Sequence, residues 1–234
     1  MHLFDHPHLQ CKLDKVRLLC FDVDGTLIDD HGGHANLWES LHRAFGVTEE
    51  ERRRIADDFF SGRITYADWV DLDVGRWQAL GVTRNDMLDV IRQLQPVRDA
   101  PETIAILAAR GYRLAVISGS IDLGLEALFP QHPFDPVLIN RIVFDPQGRI
   151  AHWHATPFDL SDKEKGLQMI AAEAGVSLQE CAFIGDNFND VAAVKAAGIG
   201  IAVASKCEDL TRECDIHIAD RCLAPLKAWF QGPV

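Results

Sequence analysis

The stretch VRLLCFD, residues 16–22, is a short apolar run that stops on an aspartate, and it reads as a buried strand. From 34 to 95 the period changes. LWESLHRAF, EEERRRIADDFF, YADWVDLDVGRWQAL and RNDMLDVIRQL each carry apolar residues three to four apart, separated by the turn signals FGVT, SGRIT and GVTR. The pattern predicts four helices and no strand there. From 101 helix and strand alternate. PETIAILAARG reads as a helix ending at Gly111, YRLAVIS as a strand and IDLGLEALF as a helix. NRIVFDPQGRIAHW reads as a hairpin turning at Asp-Pro-Gln-Gly. SDKEKGLQMIAAEAG is a helix with Ser161 as N-cap and Glu164 as its capping-box partner. CAFIGD and IGIAVA are strands around the helix FNDVAAVKAAG. DIHIA and LAPLKAWF close the chain as a strand and a helix.

Strand–helix alternation predicts an α/β fold: an open, Rossmann-like, mostly parallel sheet with helices on both faces. The helical stretch is an insertion after the first strand. The expected division is a loose tail at 1–14, a core at 15–30 and 97–234, and an all-helical cap domain at 31–96. Ligands of such sheets bind at the carboxyl ends of the strands.

With 234 residues, 47% hydrophobic and 25% charged, the chain has material for a sizeable core. Its formal charge of −12 and the lack of a basic stripe exclude a nucleic-acid partner. No apolar run of about 20 residues provides a membrane span, and MHLFDHPHLQCKLDK has no secretory pattern. The six cysteines show no CxxC, and Cys20 and Cys181 sit in apolar runs; a reduced, cytoplasmic setting fits them. The run ERRR at 51–54 reads as a solvated helix face.

Polar clusters follow the strands. FDVDGT puts Asp22 and Asp24 two residues apart at a strand end, where side chains alternate and the two carboxylates repel unless a cation or a hydrogen-bond network compensates. VISGS puts Ser118 and Gly119 at a tight turn, as an N-cap or as an anion site. GDNFND supplies Asp186, Asn189 and Asp190, which suit either an acidic helix N-terminus or the oxygen ligands that Mg²⁺ prefers. Lys163 and Lys165 start a helix against its dipole, as surface lysines or as anion partners. In a parallel sheet these clusters share one edge.

Together, DVDGT at 22–26, Ser118, a lysine near 163 and GDNFND resemble the four motifs of the haloacid dehalogenase superfamily of aspartyl-nucleophile phosphohydrolases, from about residue 15 to the end. GYRLAVISGS, the NRIVFDPQGRI hairpin and SGRITY resemble the phosphoserine-phosphatase-like branch. The resemblance implies a Mg²⁺ ion held by Asp22, the Asp24 carbonyl and Asp186, with Asp190 behind them. It implies Asp22 as nucleophile and Asp24 as general acid and base. Ser118, Gly119, Asn189 and a lysine would hold the phosphoryl oxygens. Lys163 and Lys165 lie about 200° apart on a helix, so one faces the cleft; Lys163 fits the family spacing without a gap. The expected activity is hydrolysis of a small-molecule phosphomonoester by a monomer or homodimer. A phosphomutase or phosphotransferase using the same aspartyl phosphate, and a non-catalytic binding protein, are the alternatives. The branch's acidic residue after the first motif is His31 here, and its carboxylate-binding cap arginine falls near Asp73. Both departures count against phosphoserine as the substrate.

His2, His6 and His8 read as solvated tail residues, and His152 and His154 as exposed hairpin residues near the cleft. Trp38, Tyr66, Trp69 and Trp77 read as cap packing. Tyr66 and Trp69 also lie near Asp71 and Asp73, a combination suited to a cationic group on the leaving alcohol.

Overall fold

A sheet whose central strands are covered on both faces sets the architecture of the computed structural model, which describes residues 7–29 and 36–233. In chain order the elements begin with α1 (Pro7–Leu13), β1 (Leu18–Phe21) and β2 (Ile28–Asp29). Then come α2 (Leu37–Ala44), α3 (Glu49–Phe60), α4 (Tyr66–Ala79), α5 (Arg84–Ile91) and β3 (Gln95–Pro96). The chain continues through α6 (Ala100–Ala109), β4 (Arg113–Ile121), α7 (Asp122–Leu128), β5 (Val137–Phe144) and β6 (Ile150–His154). It ends with α8 (Lys163–Ala174), β7 (Cys181–Gly185), α9 (Val191–Ala196), β8 (Ile199–Val203), α10 (Glu208–Glu213), β9 (Ile216–Ile218) and α11 (Ala224–Trp229).

Among the described residues the main sheet has seven strands in the order β6-β5-β4-β1-β7-β8-β9. All its pairs are parallel except β5 with β6, the expected hairpin. Strands β1, β7 and β8 are buried at every position, which is why they read as unbroken apolar runs. The chain leaves β1 on one side for β4 and returns on the other for β7, so the order reverses at β1. Register does the rest. Phe21 lies opposite Val116 and opposite Ile184. The residues just beyond, Asp22, Ser118 and Asp186, therefore emerge side by side at the switch point.

One face of the sheet packs Ile104 and Leu107 of α6 and Leu226 of α11; the other packs Leu167 and Ile170 of α8 and Val194 of α9. Helices α2–α5 form the insert. Three of them begin with a Thr–acid capping box, at Thr48–Glu51, Thr65–Asp68 and Thr83–Asp86. Trp77, with no exposed surface, is the insert's centre; Trp38 stacks on it at 5.3 Å and Phe45 meets it edge-on. The insert is tied at its root by a two-residue ladder, Ile28 opposite Pro96 and Asp29 opposite Gln95. It also rests on the β5–β6 hairpin, where Gln78 Nε2 donates to the Ile150 carbonyl at 2.8 Å and Trp153 Nε1 to Asp71 at 2.6 Å.

Several expectations change. Residues 7–13 are a helix docked through Leu9 and buried Leu13, with Lys12 paired to Asp215 at 2.5 Å, not a loose tail. His8 is exposed; His2 and His6 lie outside the described residues. Helix α8 starts at Lys163 with Asp162 at the N-cap position and no side-chain cap bond. The Ser161–Glu164 capping box does not form, because that start moves Glu164 one position out of register. His152 and His154 are exposed on edge strand β6 with rings 5.3 Å apart, and neither lines the cleft. Cys20 and Cys181 are buried free thiols, as expected. No helix among the described residues is long and apolar enough to cross a membrane.

Candidate active site

The strand ends open into a cleft of about 700 Å³ between the sheet edge and the insert. Asp22 is 5% exposed, and its backbone N–H donates to the Ile184 carbonyl at 2.9 Å, so β7 fixes its position. Its Oδ1 accepts from Lys163 Nζ at 2.7 Å, and Ser118 donates a second bond. Lys163 is fully buried and also donates to Asp190 Oδ1 at 2.7 Å. The other Asp190 oxygen accepts the backbone N–H groups of Asp186 and Asn187, at 2.9 and 3.0 Å. Lys165 stands on the outer side of α8, its side chain 62% exposed and paired with Asp162.

Two glycines make this packing possible. Gly25 has φ +86°, and a Cβ there would lie 2.2 Å from Asp186 Oδ2. A Cβ on Gly119 would lie 2.0 Å from Asp159 Oδ2. Asp159, from the loop before α8, is 8% exposed and accepts from Asn189 Nδ2 at 3.0 Å. The Gly119 carbonyl accepts from Asn140 Nδ2 at 2.6 Å and Trp38 Nε1 at 2.8 Å, which ties the insert to the core. Asn140 Nδ2 also donates to the Tyr66 hydroxyl at 2.8 Å.

The carboxylates crowd one another. Burial, then the neighbouring Asp22 charge, lifts Asp24 to about 7, although Ser120 Oγ donates to it at 3.0 Å. Burial lifts Asp22 to about 6 while Lys163 pulls against the rise. Asp186 is raised by burial and by Asp22 and Asp190. Burial works to lower Lys163, but Asp190 and Asp22 outweigh it and hold the ammonium charged. This is excess negative charge around a cluster in which Asp22, Asp186 and Asp190 offer oxygens within 4.8 Å of one another. A hard divalent cation fits that donor set. Asp190 has committed its oxygens to Lys163 and two backbone N–H groups, which leaves Asp22 and Asp186 as the freer donors and puts Asp190 behind them.

Of the residues singled out from the sequence motifs, Asp22, Asp24, Ser118, Gly119, Asp186 and Asn189 line one cleft, Lys163 and Asp190 are buried behind Asp22, and Lys165 faces away; Asn189 is engaged with Asp159. The pair suggested for a cationic group does not hold as written: Asp71 turns away to Trp153, and Asp73 is buried against His42, Nε2 to Oδ2 3.3 Å. His31 lies outside the described residues. The ERRR run is not simply solvated, since Arg52 and Arg53 line the cleft and Arg52 pairs with Glu39 at 2.9 Å. Asp159, Asn140, Ser120 and Arg221 went unnoticed in the sequence. Ser120, two residues past Ser118 on one strand face, carried the clearest signal.

A model of the haloacid dehalogenase-like hydrolases matches residues 16–198. The chain is 28% identical over 218 residues to phosphoserine phosphatase of Methanocaldococcus jannaschii, covering 89% of this chain and 95% of that protein. It is 30% identical over 193 residues to phosphoserine phosphatase SerB2 of Mycobacterium tuberculosis, covering 81% of this chain but 44% of that longer one. A solved phospho-aspartyl intermediate analogue of phosphoserine phosphatase is similar with a TM-score of 0.69 at 26% identity, over 92% of this chain and 98% of that chain. A substrate-bound phosphoserine phosphatase complex is similar with a TM-score of 0.70 at 25% identity, over 92% of this chain and 98% of that one.

Proposed function

The chain belongs to the haloacid dehalogenase-like hydrolases and is a phosphatase of the phosphoserine-phosphatase-like branch, and from that premise we propose how its own residues hydrolyse a small-molecule phosphomonoester. The observation that carries the reading is the division of labour between Asp22 and Asp24. Asp22 is gripped by Lys163 and Ser118 and ionises at about 6, so it is a carboxylate at neutral pH. Asp24, two residues on, is met by neutral donors, the Ser120 hydroxyl and the Leu37 N–H, and is raised to about 7. A carboxylate gripped by a lysine and a serine suits a nucleophile, and a neighbouring carboxyl met by neutral donors suits a general acid.

Asp22 attacks phosphorus and forms an aspartyl phosphate while Asp24 gives its proton to the departing alcohol oxygen. Asp24, now ionised, takes a proton from the water that attacks the same phosphorus, and the P–O bond to Asp22 breaks to release phosphate. Ser118, the Gly119 N–H and Lys163 stabilise the charge on the transferring oxygens. Asp22, Asp186 and the Asp24 carbonyl would hold Mg²⁺, with Asp190 fixing Lys163 and the 186–187 backbone behind them. When bound, the ion supplies charge neutralisation for the carboxylates and the phosphoryl oxygens. The insert at 31–96 acts as a cap, which restricts the substrate to small metabolites.

Phosphate release from a panel of phosphorylated metabolites tests this, run with Mg²⁺, with chelator and with Asp22→Asn. Release that needs the metal and disappears in Asp22→Asn is expected. Release that survives in Asp22→Asn overturns the assignment of the nucleophile. The panel includes phosphoserine, the compound after which the related phosphatases are named. Asp73, buried against His42, stands near where the resemblance expects a carboxylate-binding arginine, and this supports a different preferred member.

A further inference from the structure

The cleft wall beyond the phosphate cradle is aromatic and acidic, and among the described residues it has no buried cation to spare. Trp38, Tyr66 and Trp69 line it from the insert. Two buried carboxylates face the same cleft, Asp73 at 4% and Asp159 at 8% exposure. Asp73 is met by His42. Asp159 receives neutral donors, Asn189 Nδ2 at 3.0 Å and the Tyr66 hydroxyl. The cations nearby are engaged. Lys163 bridges Asp22 and Asp190, Arg52 pairs with Glu39, and Arg221 pairs with Asp29 at 3.3 Å and donates to the Gly25 carbonyl. Arg53 is exposed at the mouth.

Asp159 feels the buried Lys163 ammonium but has no ion-pair partner of its own among the described residues, and a ligand that brings a direct cationic partner gains from that. We infer that the leaving alcohol of the substrate carries an ammonium group, and that Asp159, with the aromatic wall of Trp38 and Tyr66, is what binds it. This deepens the phosphatase reading and rests on it. Position supports the pairing. The Asp159 carboxylate is packed onto Gly119, the residue after Ser118, so it stands one short arm away from the phosphoryl oxygens. An ammonium on a two-carbon alcohol spans that step and gains from the neighbouring aromatic rings. A leaving group that also carries a carboxylate would face Asp73 and Asp159 with no free buried cation among the described residues, and is disfavoured.

The test compares kcat/KM for charged esters and their neutral isosteres: O-phosphoethanolamine against propyl phosphate, and phosphocholine against 3,3-dimethylbutyl phosphate. O-phosphoserine and p-nitrophenyl phosphate complete the set. The expected result is a preference of at least about tenfold for a charged ester over its isostere, the scale of a charge-assisted contact. Phosphoserine falls below phosphoethanolamine, and in Asp159→Asn the charged-to-neutral ratio collapses toward one. Ratios near one in the wild type overturn the inference, and so does a ratio unchanged in a folded Asp159→Asn or phosphoserine as the best substrate. If p-nitrophenyl phosphate is hydrolysed and none of the alkyl esters is, the inference fails while the phosphatase reading stands. If nothing is hydrolysed, both fail.

Discussion

Replacing Asp24 with asparagine should make the metal-free protein more stable at pH 8 while removing its activity. Asp24 sits among Asp22, Asp159 and buried backbone, and ionises at about 7 instead of 3.8. A raised carboxyl pKa means that the folded state binds the proton more tightly than the unfolded state. Stability from this group is therefore undiminished below about pH 4, is lost as pH rises from 4 to 7, and stays lost above 7. At 1.36 kcal/mol per tenfold change in acidity, the full loss is about 4 kcal/mol. Water reaching the partly open side chain screens some of it, so the expected gap at pH 8 is about 2–4 kcal/mol. Asparagine keeps the shape and an oxygen for the Ser120 hydroxyl but never ionises. Urea unfolding in chelator at pH 5, 6, 7 and 8 gives the difference between Asp24→Asn and wild type directly. The gain should be largest at pH 8 and shrink to under half of that by pH 5. An asparagine variant no more stable than wild type at pH 8, or a gain that does not change with pH, refutes the reasoning. Its rate of phosphate release should fall about 10²–10⁴-fold for want of acid–base assistance.

Lys163→Met strands the Asp22 and Asp190 carboxylates and should cost about 3–5 kcal/mol by urea titration, whereas Lys165→Ala, on the outer side of the same helix, should change neither stability nor turnover measurably. Gly25→Ala forces a methyl into the Asp186 carboxylate at a positive φ, and should weaken Mg²⁺ binding by titration calorimetry along with stability by about 1–3 kcal/mol. Adding Mg²⁺ should raise the melting temperature far more at pH 8 than at pH 5, because Asp22 and Asp24 then both carry the charge that the ion offsets; an equal rise at both pH values contradicts that charge count.

What the sequence made legible follows from register. Asp22 and Asp186 sit one residue past buried strands, Ser118 lies within β4 two residues beyond the Phe21–Val116 pair, and parallel neighbours in register must bring them together. Helical phase said only that one of Lys163 and Lys165 faces the cleft, and Lys163 was readable because its spacing back from GDNFND fits the family without a gap. Asp159 was not. It lies in PFDLS, an aperiodic loop, and only the path of that loop over Gly119 carries it into the cleft. Asn140 was hidden likewise, as a polar residue in an apolar strand that reads as hairpin pattern. The ERRR run misled because the helix face it occupies borders the cleft as well as bulk water. Helix α1 carried one overlooked signal, a proline at its first position. The ladder of β2 with β3 is two residues long, too short to leave any periodicity.

The central claim is that Asp22 becomes phosphorylated during turnover. Rapid acid quench of the Mg²⁺-loaded protein with a ³²P-labelled substrate identified from the panel, followed by peptide mapping, examines it directly. Label on the peptide that contains Asp22, appearing before phosphate release reaches steady state and absent in Asp22→Asn, is the expected result. Steady release of phosphate with no label trapped at any time, or label on another residue, would contradict it.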